Sequence, residues 1–343
     1  MTVYDIHETT PLARGEALGI LSQRAIKDFL NDEVAQINKI RNHPSSRDKL
    51  LAQALRYFEC LQYHLPDLAE EVRGLSLGAD ISLPEAMLLQ CRRELIGWGE
   101  DCSLLASRCP EHGAFIAQTI DLAGDLAPYI GAVRYHCATR YGGSIAIWNY
   151  CGLLGYLGIN SHGLAIGINM VLAANWRIGI PPYLLVRRLL TMATIDECLR
   201  EIERLPRASS RSFLIAEGPK LLNVEMTVDQ HRCQQGAPLV HTNHYLDKEL
   251  KEFDLLQDPR SSLFRHDRML GFITQHSLVH SSMLPNFLSD HEGSVGSVCF
   301  HTDNLTRGHT VSAAILLSQE RRMKLSFGPP CCTPFQDIAV NGF

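Results

Sequence analysis

The run Trp98-Gly99-Glu100-Asp101-Cys102-Ser103 divides the chain into two kinds of text. Upstream, residues from about 12 to 98 carry a helical pattern, and downstream the periodicity shortens to β-rich runs, the first ending in Gln118-Thr119-Ile120-Asp121. A cysteine at such a junction, with an acid nineteen positions on, suggests a nucleophile that becomes a new N-terminus when the chain cuts itself.

On the upstream side Leu51, Leu55, Phe58, Leu61 and Leu65 recur at three- and four-residue spacing, the stripe of an amphipathic helix that Pro66 closes. Ser82-Leu83-Pro84-Glu85 is a capping box, in which hydroxyl and carboxylate satisfy unpaired amides, and it predicts a helix through about Leu95. On the downstream side residues 114–120, 144–148 and 164–170 read as strands, separated by glycine turns at Gly142-Gly143 and Ser161-His162-Gly163. Helices are expected near 182–193 and 195–205, the second opening at Thr194, then strands near 212–217 and 221–227. A helix over 258–276 and closing strands near 309–317 and 322–327 complete the pattern. Sheets alternating with helix pairs indicate an α+β chain, either a general α+β fold or a four-layer αββα sandwich, with the helical segment in front. No internal repeat, low-complexity tract or linker appears, so residues 1–101 and 102–343 are expected to form one domain.

Composition narrows the partners. At 343 residues and 45% hydrophobic content the chain can bury a full core. Its 32 basic and 37 acidic residues give a net charge of −5 with no long run of either sign, which offers no footprint for nucleic acid or an anionic membrane. A small-molecule partner is expected. The N-terminal residues lack signal-peptide features and no stretch approaches the roughly 18 apolar residues of a span, so the reading is cytoplasmic. Eleven irregularly spaced cysteines argue for reduced thiols.

A thiolate is a strong nucleophile, and a free α-amine with a pKa near 7.7–8.0 can serve as its base without a histidine. That combination requires Cys102 to be the first residue of a processed chain. Other chemistries lack their motifs: there is no GxSxG, no P-loop and no GxGxxG after a strand. The fifteen histidines raise a metal reading at His241 with His244 and at Cys299 with His301, but no CxxC or HExxH occurs, so no metal and no cofactor are expected. Cys331-Cys332 reads as packing beneath a loop, and the glycine-rich segment 152–158 as a bent strand.

The chain resembles the acyl-coenzyme A:6-aminopenicillanic acid (isopenicillin N) acyltransferases, which belong with penicillin V acylases and bile-salt hydrolases among the cysteine N-terminal-nucleophile (Ntn) hydrolases. The matching segments, in order, are Arg14-Gly15-Glu16-Ala17-Leu18-Gly19, Leu75-Ser76-Leu77-Gly78-Ala79, Asp101-Cys102-Ser103, Gln118-Thr119-Ile120-Asp121, Asn160-Ser161-His162-Gly163-Leu164, Gly167-Ile168-Asn169, residues 181–188, His241-Thr242-Asn243-His244, Ser262-Leu263-Phe264-Arg265 and Gly328-Pro329-Pro330-Cys331. The resemblance implies the αββα Ntn sandwich and self-cleavage between Asp101 and Cys102. The thiol attacks the Asp101 carbonyl, a thioester forms, and water releases residues 1–101 as a separate, still associated chain. The freed amine of Cys102 then acts as general base for acyl transfer from an amide or thioester to an amine or water. Acyl-coenzyme A can serve as co-substrate, and the substrate class implied is a small secondary metabolite.

The resemblance also implies roles for other residues. Asp121 positions the new ammonium, Asn169 and Asn243 donate to the oxyanion, and Arg265 holds the charge of the nucleophile or substrate. Taken alone, Asp121 reads equally as a strand-end turn cap, Asn243 as a turn residue, Asn169 as a buried strand amide, and Arg265, like Arg260 and Arg268, as part of a solvated helix face. Two positions depart from the family pattern: Asp101 stands where glycine is frequent, and Thr119 where asparagine is usual. These departures motivate an alternative, an uncut pseudoenzyme or binding protein for an acylated small molecule or a partner. A third reading pairs Cys102 with His241 or His244 and needs no cleavage.

Overall fold

Alternation along β-strands sets the layers. The computed structural model of the chain describes residues 2–98, 102–276, 279–293 and 296–340. Its strands are β1 (Thr2–Ile6), β2 (Ser103–Cys109), β3 (Gly113–Leu122), β4 (Ile130–Tyr135), β5 (Ile145–Tyr150), β6 (Gly158–Asn160), β7 (Leu164–Asn169), β8 (Arg211–Glu217), β9 (Lys220–Met226), β10 (His231–Gln235), β11 (Leu239–His241), β12 (His309–Leu317), β13 (Arg322–Ser326) and β14 (Phe335–Ala339). The helices are α1 (Pro11–Asn31), α2 (Ile37–Ile40), α3 (Arg47–His64), α4 (Pro66–Ala79), α5 (Leu83–Gln90), α6 (Arg92–Ile96), α7 (Pro182–Leu189), α8 (Ile195–Arg204), α9 (Arg260–Gln275) and α10 (Leu284–Leu288).

An eight-stranded sheet has the order β1-β4-β5-β6-β7-β8-β9-β10, and a six-stranded sheet the order β11-β2-β3-β12-β13-β14. Because successive side chains point to opposite faces, Leu104, Ala106, Ile116 and Leu316 of the smaller sheet share one core with Ile166 and Leu214 of the larger. Leu105, Phe115, Ala117 and Ile315 face the other way, onto Met269 and Ile273 of α9 and Phe287 of α10. The sheets approach closely at Gly167, where a Cβ would come within 2.8 Å of Leu104 Cδ2. Ile195, Cys198 and Ile202 of α8 and the apolar face of α7 pack into the larger core, giving the four αββα layers that the sequence predicts.

The capping box expected at Ser82 forms, and the helix expected to open at Thr194 does so with a capping box of its own. The sequence reading differs from the structure at several points. β1 is not marked by the sequence pattern and pairs in parallel with β4 at the edge of the larger sheet. β4, β10, β11 and β14 also fall outside the expected strands; HRCQQ of β10 is largely exposed, and neither it nor FQDIA of β14 shows apolar alternation. The helix expected through Leu95 breaks at Cys91 (φ −114°, ψ 20°) into α5 and α6. The glycine-rich segment expected as a bent strand is a loop between β5 and β6, and Cys331 and Cys332 are exposed rather than covered.

Two glycines at the α1–α4 crossing have a steric cause. α1 crosses α4 so closely that a Cβ on Gly15 would lie 1.9 Å from the Glu71 carbonyl oxygen, and one on Gly74 would lie 1.9 Å from that of Leu12. The N-terminal helices are tied to the rest through buried polar contacts. Arg187 of α7 donates twice to Glu71 of α4 at 3.1 Å, both side chains 1% exposed. Arg211 of β8 reaches Glu94 of α6 at 3.2 Å. Breaking one partner of such a pair strands a buried charge, which costs more than the pair itself contributes.

Candidate active site

Cys102 immediately precedes β2, and its φ of +62° places a non-glycine residue in the left-handed region, a conformation that costs of order 1–3 kcal/mol and persists only where its surroundings hold it. Its thiol is fully buried, and Sγ lies 3.3 Å from Tyr156 Oη. The Tyr156 ring stacks on Tyr183 with centroids 4.9 Å apart and meets Trp148 edge-on at the same separation. Tyr156 sits on the loop between β5 and β6, and that loop is gripped from the N-terminal segment. Gln90 Nε2 donates to the Gly152 carbonyl at 3.1 Å, and the Leu154 amide donates to Gln90 Oε1 at 2.9 Å.

The carbonyl side of Cys102 is held by α9. Arg265 Nη1 donates to the Cys102 carbonyl at 2.9 Å and to Ser103 Oγ at 2.7 Å, and Nη2 donates to Asn243 Oδ1 at 2.6 Å. With Ser261 Oγ at 3.3 Å, these four acceptors are all neutral oxygens, so a buried guanidinium is solvated by dipoles beside the nucleophile. Arg268 is bonded instead to Asp290, and Arg260 to Asp258, which separates Arg265 from its two neighbours.

Asn169 and Asn243 meet directly. Asn243 Nδ2 donates to Asn169 Oδ1 at 3.2 Å and to the Met170 carbonyl at 3.1 Å. Asn169 Nδ2 donates to the carbonyls of His241 and Thr242 at 3.0 and 2.6 Å, which joins the end of β7 in the larger sheet to the end of β11 in the smaller. Asp121 is buried near the end of β3 and accepts from Thr310 Oγ1 at 2.7 Å. The β2–β3 register pairs Ser103, the residue after Cys102, with Thr119, two positions before Asp121 on β3. Thr119 Oγ1 accepts from the Ser103 amide at 3.2 Å, giving this position a structural polar contact. Asp101, the other half of the expected cleavage site, lies outside the described residues.

The histidines are committed elsewhere. His241 Nε2 is 2.8 Å from Glu225 Oε1, and its Nδ1 is 2.6 Å from the Thr242 carbonyl. Burial alone would raise the Glu225 carboxyl, but hydrogen bonding and charge from His241, with the Leu246 and Asp247 amides, hold it below its usual range. His244 Nδ1 is 2.8 Å from Ser262 Oγ, and burial, followed by the neighbouring His241 and His266, lowers its pKa to about 4. This geometry gives no support to a Cys-His pair.

A cleft of about 530 Å³ opens at the same end of the sandwich. Its lining includes Trp98, four residues before Cys102, Leu172, two residues after Met170, and Arg307 and Gly308, which lead into the strand carrying Thr310. The volume falls in the range of small-molecule sites.

With the geometry described, comparison with known sequences gives a direct result. The acyl-coenzyme A:6-aminopenicillanic acid acyl-transferase family profile matches residues 110–331. The chain belongs to that family. Among solved structures, penicillin V acylase from Agrobacterium tumefaciens aligns with a TM-score of 0.50 at 12% identity, over 70% of this chain and 86% of that one. A variant of the conjugated bile acid hydrolase from Clostridium perfringens aligns with a TM-score of 0.45 at 9% identity, over 70% and 97%. The fold is that of the Ntn hydrolases, and the family is one of Ntn-type acyltransferases and amidohydrolases.

The five positions singled out from the sequence, Cys102, Asp121, Asn169, Asn243 and Arg265, lie at one end of the sandwich, and Arg265 bridges Cys102 to Asn243 directly. The sequence reading missed Tyr156, Gln90, Ser103 and Thr310. For Tyr156 the only linear signal was its position in a segment with glycines at 152, 155 and 158. A Cβ at Gly155 would sit 2.3 Å from the Tyr183 carbonyl, so that glycine lets the loop lie against α7 where the two tyrosines stack.

Proposed function

We propose that the protein is a self-processing cysteine acyltransferase or amidohydrolase in which Cys102 first cuts the Asp101–Cys102 bond and then carries the acyl group of a small, secondary-metabolite substrate. The observation that carries the proposal is the state of Cys102: a left-handed backbone, a buried thiol against Tyr156, and a carbonyl fixed by Arg265. Backbone strain at the junction is relieved when the peptide becomes a thioester, and Tyr156 Oη orients the thiol for that attack. The buried thiol makes the uncut chain a zymogen, because a substrate cannot reach Sγ until the chain before it moves away.

After cleavage the freed amine of Cys102 is the base, and Asp121, held by Thr310, orients it as ammonium. Among the described residues the hydrogen-bond acceptors of Arg265 are neutral oxygens, which leaves its charge to offset the negative charge that develops during attack. Asn243 joins the oxyanion site by exchanging an Nδ2 hydrogen bond, such as that to the Met170 carbonyl, while Asn169 positions it. An amide or thioester, including an acyl-coenzyme A, delivers the acyl group, and an amine or water accepts it. The released segment stays bound as part of one domain through Glu71–Arg187, Glu94–Arg211, Gln90 and β1.

The test is the intact mass of the denatured protein beside a Cys102→Ala variant. Two chains breaking before Cys102 in the wild type, with one full-length chain in the variant, support the proposal. A single uncut chain in both overturns self-processing and transfers the case to the binding-protein reading. Incubating the processed enzyme with acyl-coenzyme A and amines while following free acid then separates transferase from hydrolase.

A further inference from the structure

Outside the nucleophile site, four metal-ligating side chains converge from separate parts of the chain. His291 follows α10, Cys299 and His301 lie before β12, and Cys331 lies between β13 and β14. One ligand atom from each falls within 4.8 Å of all the others. Cys299 Sγ is 3.5 Å from His301 Nε2, and that nitrogen is 3.3 Å from Cys331 Sγ. In a tetrahedral zinc site with Zn–S near 2.3 Å and Zn–N near 2.05 Å, the sulfur-to-nitrogen edge is about 3.6 Å. Both measured edges are within a few tenths of an ångström of that value.

We infer that His291, Cys299, His301 and Cys331 form a structural zinc site that fastens the segment before β12 to the β13–β14 connection.

Three features favour this reading. The donor set, two thiols and two imidazoles, is a structural zinc combination, and four protein ligands leave no open coordination position. His291 Nδ1 is 2.9 Å from the Cys299 carbonyl; a carbonyl only accepts, so Nδ1 carries the hydrogen and Nε2 keeps the lone pair that binds metal. That bond is the outer-shell contact that fixes ring orientation in histidine-ligated sites, and here its acceptor belongs to another ligand residue. The charges balance as well: each cysteine binds as thiolate and releases one proton to solvent, the two imidazoles bind neutral, and two thiolates neutralise Zn²⁺.

The site has a path to the nucleophile end of the fold. Phe300, between the two central ligands, donates its amide to Thr310 Oγ1 at 2.8 Å and accepts from the Thr310 amide at 2.8 Å. Thr310 Oγ1 in turn donates to Asp121. Fixing Cys299 and His301 therefore fixes the residue that orients Asp121. This makes the four ligands positioning residues, and it revises the expectation from sequence, where Cys299 and His301 appeared as an isolated pair.

The experiment uses untagged full-length protein and elemental analysis after exhaustive dialysis, beside Cys331→Ser and a Cys332→Ser control. About one zinc per chain is expected in the wild type and in Cys332→Ser, with occupancy in Cys331→Ser reduced tenfold or more at the same free zinc. Cobalt exchanged into the wild type is expected to give the visible bands of a tetrahedral site with thiolate charge transfer, weakened in Cys331→Ser. Cys331 is exposed, so its replacement leaves the fold intact, as circular dichroism checks. Absence of stoichiometric zinc together with no cobalt spectrum overturns the inference. So does a disulfide between Cys299 and Cys331, seen as a mass lower by two hydrogens that reductant restores and located to those two cysteines by peptide mapping.

Discussion

Gln90 offers the sharpest test of how the N-terminal segment serves the nucleophile. Its amide is fully buried and spans the loop that carries Tyr156, donating to Gly152 and accepting from Leu154. In Gln90→Leu both backbone groups lose their partner, at about 1–3 kcal/mol each, while the more apolar side chain returns about 1 kcal/mol or more. Two such losses less that return leave a net cost of about 1–5 kcal/mol. For a chain of 343 residues, an unfolding entropy of about 2.1 cal/mol/K per residue gives roughly 0.7 kcal/mol/K, so Tm should fall by about 1.5–7 °C. Thermal unfolding is best measured in a Cys102→Ala background, where both proteins remain one chain. Processing is then followed by mass in the Cys102 background, beside Tyr156→Phe. The latter keeps the stack on Tyr183 but removes the hydroxyl, and should slow cleavage roughly two- to tenfold with little change in Tm, as expected for one neutral hydrogen bond. A Tm for Gln90→Leu within about 1 °C of its parent, with cleavage at the parental rate, would refute the claim that Gln90 holds the site in place. Cleavage at the parental rate in Tyr156→Phe would reduce Tyr156 to a packing residue.

Other perturbations have equally definite outcomes. Arg265→Lys preserves the charge but cannot span the Cys102 carbonyl, Ser103 and Asn243 together, so cleavage followed by mass should slow about a hundredfold or more; a near-parental rate would remove Arg265 from the mechanism. Gly74→Ala drives a methyl into the Leu12 carbonyl and should destabilise by about 1–3 kcal/mol in urea unfolding, whereas Leu77→Ala, on the exposed side of the same helix, should be nearly neutral. His244 has a folded pKa lowered from 6.5 to about 4, so the unfolded chain binds the proton first. Its contribution is therefore complete above about pH 6.5 and is lost as pH falls towards 4. Urea unfolding should show that loss, and His244→Gln should flatten it.

The comparison of sequence with structure divides along physical lines. The helix pairs, the capping box at Ser82 and the main strands of both sheets were legible because each depends on local periodicity or on a side chain three residues from its partner. β1, β10 and β14 were not, because an edge strand needs few apolar residues and its identity comes from a neighbour far away in the chain; β4 and the three-residue β11 were not expected either, and β4 is a buried inner strand. The same distinction holds at the site. Cys102 could be singled out because it marks the change of periodicity, and Asp121, Asn169, Asn243 and Arg265 through their resemblance to family motifs, but nothing linear says that Arg265 grasps the Cys102 carbonyl.

By itself, the sequence determined the residue types, the order of helix and strand and the family to which the chain belongs, all of which rest on neighbours within a few positions or on ordered motifs. Only the tertiary structure decided that Tyr156 meets the thiol, that Gln90 supports it from the other side of the junction, and that His291, Cys299, His301 and Cys331 share one point. Those contacts join residues separated by up to 64 positions in the first two cases and span two connections, α10–β12 and β13–β14, in the last. Sheet register and layer packing set such distances, and no spacing along the chain encodes them.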